Sequence, residues 1–249
     1  MLLRRITHHV KDQNWFAVGL DYFIVVIGVF IGLQVSNWND ARQERNNEAE
    51  YIQRLDTEMD VIRARLVAGE QTYSQSLRSI DLLMDVRRQY DKDVTAEIPS
   101  EAELSIAASN AGAGMVPAGS PAALKEMMSS GAMVTLSNDE LRQALFAYDE
   151  FAAINLNAWQ TLRMSQSDAL NRVLSFGDLS MPDDLNDLRS AIGDGANLRG
   201  FDVQDFLDDP EIPGYLRVLL GAQANQLGLV QQQLALAESI EELIDKDSN

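Results

Sequence analysis

Residues Leu20 to Asp40 read LDYFIVVIGVFIGLQVSNWND, and no other stretch restricts this chain's fold as strongly. From Tyr22 to Leu33 there is no charge. Nor is there a polar face at the 3.6-residue spacing that a helix packed on a soluble core would show. Trp15 and Trp38 bracket the segment. As a helix the interval between them is roughly 35 Å long, against about 30 Å of bilayer hydrocarbon. Tryptophan favours the two membrane interfaces, so Trp15 and Trp38 are the expected aromatic belt. The run ends in LQVSNWNDARQ without the small residues of a signal-peptidase site. The expectation is therefore an uncleaved signal anchor over residues 15–38, behind a short basic segment, 1–14. Arg4, Arg5 and Lys11 precede the span and Arg42 and Arg45 follow it, which favours an N-terminus inside and an exported body.

Three kinds of residue within the anchor carry functional expectations. Gly28 and Gly32 form a G-x-x-x-G pair, which lets two helices approach closely in lipid. Gln34 is a candidate for a hydrogen bond between membrane helices. Asp21 lies roughly 9 Å inside Trp15 along the axis. It is either a hydrated headgroup-level acid, a buried contact to a partner helix, or a proton or ion site.

The remaining sequence, 39–249, predicts an all-α body. From Asn39 to Asp91 there is no proline, and Ile52, Leu55, Met59, Ile62, Leu66, Tyr73, Ile80 and Leu83 alternate in steps of three and four, a heptad seam that weakens at Gly69 and Ser76. This predicts a long helix over about 39–92 continuing directly from the anchor. A short helix follows at about Ser100–Ser109. Another begins at Ser120-Pro121 and ends at Gly131. Ser137 and Glu140 match the capping box S-x-x-E. They open a predicted helix over about 138–176 with Asn155 and Gln166 interrupting its apolar stripe. A last helix over about 213–245 has a stripe at Leu216, Leu220, Leu227, Val230, Leu234, Ala237 and Ile244. Three long helices running out, back and out predict an antiparallel bundle or coiled coil. Between them, residues 177–213 are irregular, with a short helix expected from Pro182 to about Gly193. Asp183, Asp184, Asp187, Asp194, Asp202, Asp205, Asp208 and Asp209 crowd this zone without the spacing of a calcium loop, so helix capping is their expected role.

Composition narrows the chemistry. The chain has no cysteine, and its two histidines are His8 and His9, before the anchor. Thiolate and His-based catalysis or metal binding are thereby removed from the body. A net charge of −18 repels nucleic acid. No cofactor, metal or catalytic site is expected.

The stretch DYFIVVIGVFIGLQVSNWNDARQER resembles an uncharacterised family of bacterial single-pass membrane proteins, through Asp21, Ile27, Gly28, Gln34, Asn37, Trp38, Asn39 and Asp40. A second block, ALKEMMSSGAMVTLSNDELRQALFAYDEF, is similar to that family's Ser-Ser-Gly turn and following helix, through Ser129, Ser130, Gly131, Asn138, Leu141 and Arg142. The resemblance implies a membrane anchor and a helical body, and no activity. The functional expectation is a non-enzymatic inner-membrane subunit that oligomerises with its own kind or accompanies other membrane proteins. The alternatives are an extracytoplasmic ligand-sensing bundle and an ion-motive-force accessory subunit using Asp21.

Overall fold

The computed structural model describes residues 15–179 and 198–248. The basic segment 1–14 and the predicted helix at Pro182–Gly193, with Asp183, Asp184, Asp187 and Asp194, lie outside the described residues. The chain is all-α. Among the described residues the one strand pairing is a two-residue antiparallel ladder, β1 (Asp178–Leu179) with β2 (Leu198–Arg199). By internal contacts the chain forms two compact units, Met1–Tyr51 and Ile52–Asn249.

The first unit consists of the opening turns of α1 (Trp15–Lys92), a single unbroken helix. It is long and apolar enough to cross a membrane. Every described side chain from Tyr22 to Asp40 is exposed.

The second unit is a bundle. The later part of α1 supplies its first wall and ends where Asp93 turns its carboxylate onto the amide and hydroxyl of Thr95, at 2.9 and 2.7 Å. Such a side-chain bond competes with helix continuation. Helix α2 (Glu101–Asn110) begins with a full capping box: the Ser100 amide donates to Glu103 at 2.9 Å and the Glu103 amide donates to Ser100 Oγ at 3.3 Å. At the second S-x-x-E the prediction fails by one residue. The cap of α4 (Asp139–Ser165) is Asn138, whose Oδ1 accepts from the Leu141 amide at 3.0 Å. Asn caps as well as Ser, so the neighbour displaces Ser137 from the role.

Helix α3 (Ala122–Ser130) starts one residue after Pro121, and Glu58 of α1 caps it by accepting from the Ala123 amide at 3.0 Å. It stops at Gly131, whose φ of +79° is left-handed and suits glycine. The predicted single helix over 138–176 is interrupted at Gln166, after which α5 runs Ser167–Leu174. On either side of the break Ser165 and Ser167 donate their hydroxyls back to the Leu162 and Met164 carbonyls, at 2.9 and 2.8 Å. This local bonding loosens helices. The short α6 (Val203–Asp208) and the long α7 (Ile212–Ser248) complete the bundle.

The direction of travel differs from the predicted out, back and out. Arg63 pairs with Glu241 at 3.0 Å and Glu70 accepts from Gln231 at 2.8 Å, so α1 and α7 are antiparallel. Asn155 donates to Gln233 at 2.8 Å and Arg172 pairs with Asp209, so α4–α5 is also antiparallel to α7. Helices α1 and α4 therefore run the same way. The return leg is the stretch predicted to hold only short helices and loops between the long helices. Along α1 in reverse, Ser76 meets Ala111, Tyr73 meets Met115, Arg65 meets Val116, Glu58 meets Ala123 and Arg54 meets Glu126.

One apolar core sits where α1 ends and α7 begins. Ile80, Leu83, Leu104, Val173, Leu216 and Leu219 meet there, and Phe176, Phe201 and Phe206 pack edge-on with centroids 5.4–6.2 Å apart. Leu55, Met59, Leu66, Leu124, Met127, Leu141, Leu145, Ile240 and Ile244 are buried towards the other end of the bundle's helices.

Candidate functional site

The anchor residues are placed by α1. Gly28 and Gly32 are one turn apart on one face, and a Cβ added to either would meet no atom of the chain within 4 Å. That face is open for a second helix. Gln34 is exposed and lies about 140° around the helix from the glycine pair, so the three do not form one packing surface. Trp38 is 63% exposed. Trp15 and Asp21 belong to α1, but their side chains lie outside the described residues. Asp21 precedes Gly28 by seven residues, about two turns of the helix.

The bundle's least expected feature is polar. The buried seam of α7 is Ile212, Leu216, Leu219, Gln223, Gln226, Val230, Gln233, Ala237, Ile240 and Ile244. The steps alternate four and three throughout. Three of the stripe positions expected from sequence, Leu220, Leu227 and Leu234, are only half-buried; the residues just before them, Leu219, Gln226 and Gln233, hold the seam together with Gln223. The weak positions of the α1 seam lie in the same zone. Gly69 packs so that its Cβ would sit 3.7 Å from Val230, and Ser76 is fully buried.

The reason is the irregular segment Ala111–Pro121, which threads this waist where an ordinary bundle would place another helix. Backbone outside regular structure leaves carbonyls needing donors. Ser76 Oγ and Gln223 Nε2 donate to Ala111 O at 2.9 and 3.4 Å, Arg163 to Gly112 O at 3.2 Å, and Tyr73 OH to Met115 O at 2.9 Å. Arg65 donates to Val116 O at 3.0 Å and Gln233 Nε2 to Ala118 O at 2.7 Å. Gln233 also donates to Tyr148 OH at 3.0 Å and accepts from Asn155. Burial pushes the Tyr148 phenol up to about 12 despite the Gln233 bond, and burial likewise raises Tyr73. Both stay protonated and neutral, Tyr73 donating to Met115 O and Tyr148 accepting from Gln233. Close packing needs the small residues of GAGMVPAG: a Cβ on Gly114 would lie 3.0 Å from the Tyr73 ring, and one on Gly112 would lie 2.5 Å from Leu170.

Satisfaction is incomplete. Asn155 Oδ1, Gln166 Oε1, Gln223 Oε1 and both amide atoms of Gln226 are buried without a hydrogen-bond partner. Sequence reading finds Asn155 and Gln166 as interruptions, but misses Gln226 and Gln233, each with a leucine beside it, and Gln223, which lies between two alanines.

Asp202, Asp208 and Asp209 of the acidic zone have structural partners. Asp202 caps α6 through the Asp205 amide at 3.0 Å, and Asp208 accepts from Tyr90 and Gln204 at 3.0 and 2.8 Å. Asp209 accepts from the Glu211 amide at 2.7 Å and pairs with Arg172. Burial opposes ionisation of Asp209, but these bonds outweigh it and hold its carboxyl below the usual range. Among the described residues no cluster of acids has the arrangement of a metal site.

No protein-family model matches the chain, and no curated protein or solved structure matches it either.

Proposed function

We propose that this protein is a non-enzymatic subunit anchored in the bacterial inner membrane by residues 15–38. Its N-terminus is cytoplasmic and its bundle extracytoplasmic, and it oligomerises or accompanies a larger membrane assembly. The observation that carries this reading is the uncovered apolar surface of α1. Thirteen large apolar side chains from Leu20 to Trp38 are 40–72% exposed. Full burial of such a side chain is worth about 1.5–3 kcal/mol, so leaving them in water at half exposure costs on the order of 10–20 kcal/mol. That rivals the whole net stability of a folded domain, about 5–15 kcal/mol. Lipid removes the penalty. The open glycine face then supplies a place for another helix, and the likeness of the anchor to the single-pass family agrees with it.

The test is the native mass of the full-length protein gently extracted from its membrane. A multiple of 27.6 kDa that falls when Gly28 and Gly32 are both replaced by leucine supports self-assembly through the glycine face. A mass that includes other chains supports the accessory role. A bare monomer that is released from membranes by alkaline carbonate refutes the anchor and the assembly together. The two-turn spacing of Asp21 from Gly28 along the sequence favours one refinement: Asp21→Asn should weaken the same association, and an unchanged mass excludes Asp21 from it.

A further inference from the structure

The ends of α1 and α7 leave between them a groove of about 200 Å³. Its floor is apolar, formed by Met84, Pro213 and the fully buried Leu216. Around it stand Arg87, Arg88 and Arg217, with one acid, Asp91. The whole chain carries 38 acidic residues against 20 basic ones, so three arginines on one small cavity reverse the local balance.

The three differ in what they have left to donate. Arg88 is committed to Asp85 and to the Met84 carbonyl. Arg217 uses Nε on the Pro213 carbonyl at 2.9 Å, and its side chain is exposed. Arg87 gives Nη1 to Asp91 at 2.5 Å, and its side chain is only 13% exposed. Its Nε is buried without an acceptor. The other buried orphans among the described residues are neutral amide atoms of Asn155, Gln166, Gln223 and Gln226. Arg87 Nε is the one on a charged group, where a missing acceptor is most expensive.

We propose that this groove binds a small aliphatic carboxylate. The carboxylate pairs with the guanidinium groups of Arg87 and Arg217 that line the groove, and the short hydrocarbon body lies on Met84, Pro213 and Leu216. Guanidinium forks match carboxylate geometry. The volume is below the roughly 300–1,000 Å³ that holds drug-sized molecules, which limits the body to a few carbons. Asp91 lies on the groove and Arg87 also feels the charge of Asp208, so a single negative charge is favoured over a phosphate dianion. The site belongs to the bundle and is independent of the membrane reading.

The probe is hexanoate, titrated into full-length protein in a membrane mimetic and followed by the ¹³C-methyl signals of methionine. The Met84 signal is expected to shift saturably in the millimolar range, while hexylamine leaves it in place. Arg217→Gln should weaken hexanoate at least about fivefold and Asp91→Asn, which removes the competing acceptor from Arg87, should tighten it. Met59 and Met127, buried outside the groove, report whether each variant keeps its fold. Absence of a saturable Met84 shift overturns the proposal, as does an equal response to hexylamine. So does unchanged binding in Arg217→Gln with the Met59 and Met127 signals intact. If Arg217→Gln loses its fold, Asp91→Asn decides: weaker or unchanged binding there overturns the site.

Discussion

Gln226→Leu and Gln233→Leu are the same substitution two turns apart on one helix, and the structure gives them opposite signs. Gln226 is 3% exposed and neither amide atom has a partner. An unsatisfied buried polar group costs about 1–3 kcal/mol, so an apolar side chain of similar size should stabilise the bundle by about 2 kcal/mol. For a domain of this size that is roughly 4–8 °C in Tm. Gln233 instead donates to Ala118 O and Tyr148 OH and accepts from Asn155 Nδ2. Leucine there orphans the Ala118 carbonyl and the Asn155 amide, at about 1–3 kcal/mol each, or roughly 2–6 kcal/mol in all. Urea unfolding of the full-length protein in detergent, followed by circular dichroism at 222 nm, measures both. A destabilised Gln226→Leu would refute the reasoning, because it would mean that the Gln226 amide is bonded after all, by solvent within the waist. Equal losses in the two variants would show that the waist answers to volume and not to hydrogen-bond satisfaction.

Two further outcomes follow from the same waist. Tyr148 is fully buried and its phenol is pushed up to about 12, so the folded state holds this proton more tightly than the unfolded chain, whose pKa is about 10. Its contribution is fully present below pH ~10 and is lost as pH rises towards 12, on the order of 2–3 kcal/mol over that window. Tyr148→Phe should flatten the alkaline fall in Tm, and an unchanged alkaline profile would remove Tyr148 from the account. Gly114→Ala should destabilise by about 1–3 kcal/mol, since its Cβ meets a Tyr73 ring that is itself clamped on the Met115 carbonyl. Gly119→Ala, five residues on with nothing within 4 Å, should be close to neutral, and equal losses in thermal melts of the two would deny the close approach.

Much of the architecture was legible along the chain because it depends on residues near one another in sequence. The uncharged run from Tyr22 to Leu33 needs only itself to be read as part of a helix long and apolar enough to cross a membrane. The heptad of α1 names its own buried face, and Leu55, Met59, Leu66, Tyr73, Ile80 and Leu83 are all in the core. Gly131 stops α3 for a reason of local backbone geometry. Local reading slipped where two neighbours compete for one role, as Ser137 and Asn138 do for the cap of α4.

What the tertiary structure alone decided is the waist and the direction of the helices. A leucine stripe at Leu220, Leu227 and Leu234 is the better hydrophobic face of α7, yet Gln223, Gln226 and Gln233 are buried. The choice is made more than a hundred residues away, where Ala111 to Ala118 cross the bundle as irregular chain, with buried Ala111 and Ala118 offering their carbonyls to Gln223 and Gln233. A buried carbonyl without a donor costs more than a half-exposed leucine, so Gln223 and Gln233 turn inward as donors, and Gln226, between them on the same face, is carried in without a partner. Periodicity in the sequence counts apolar residues on a face; it carries no information about which backbone from elsewhere in the chain will lie against that face.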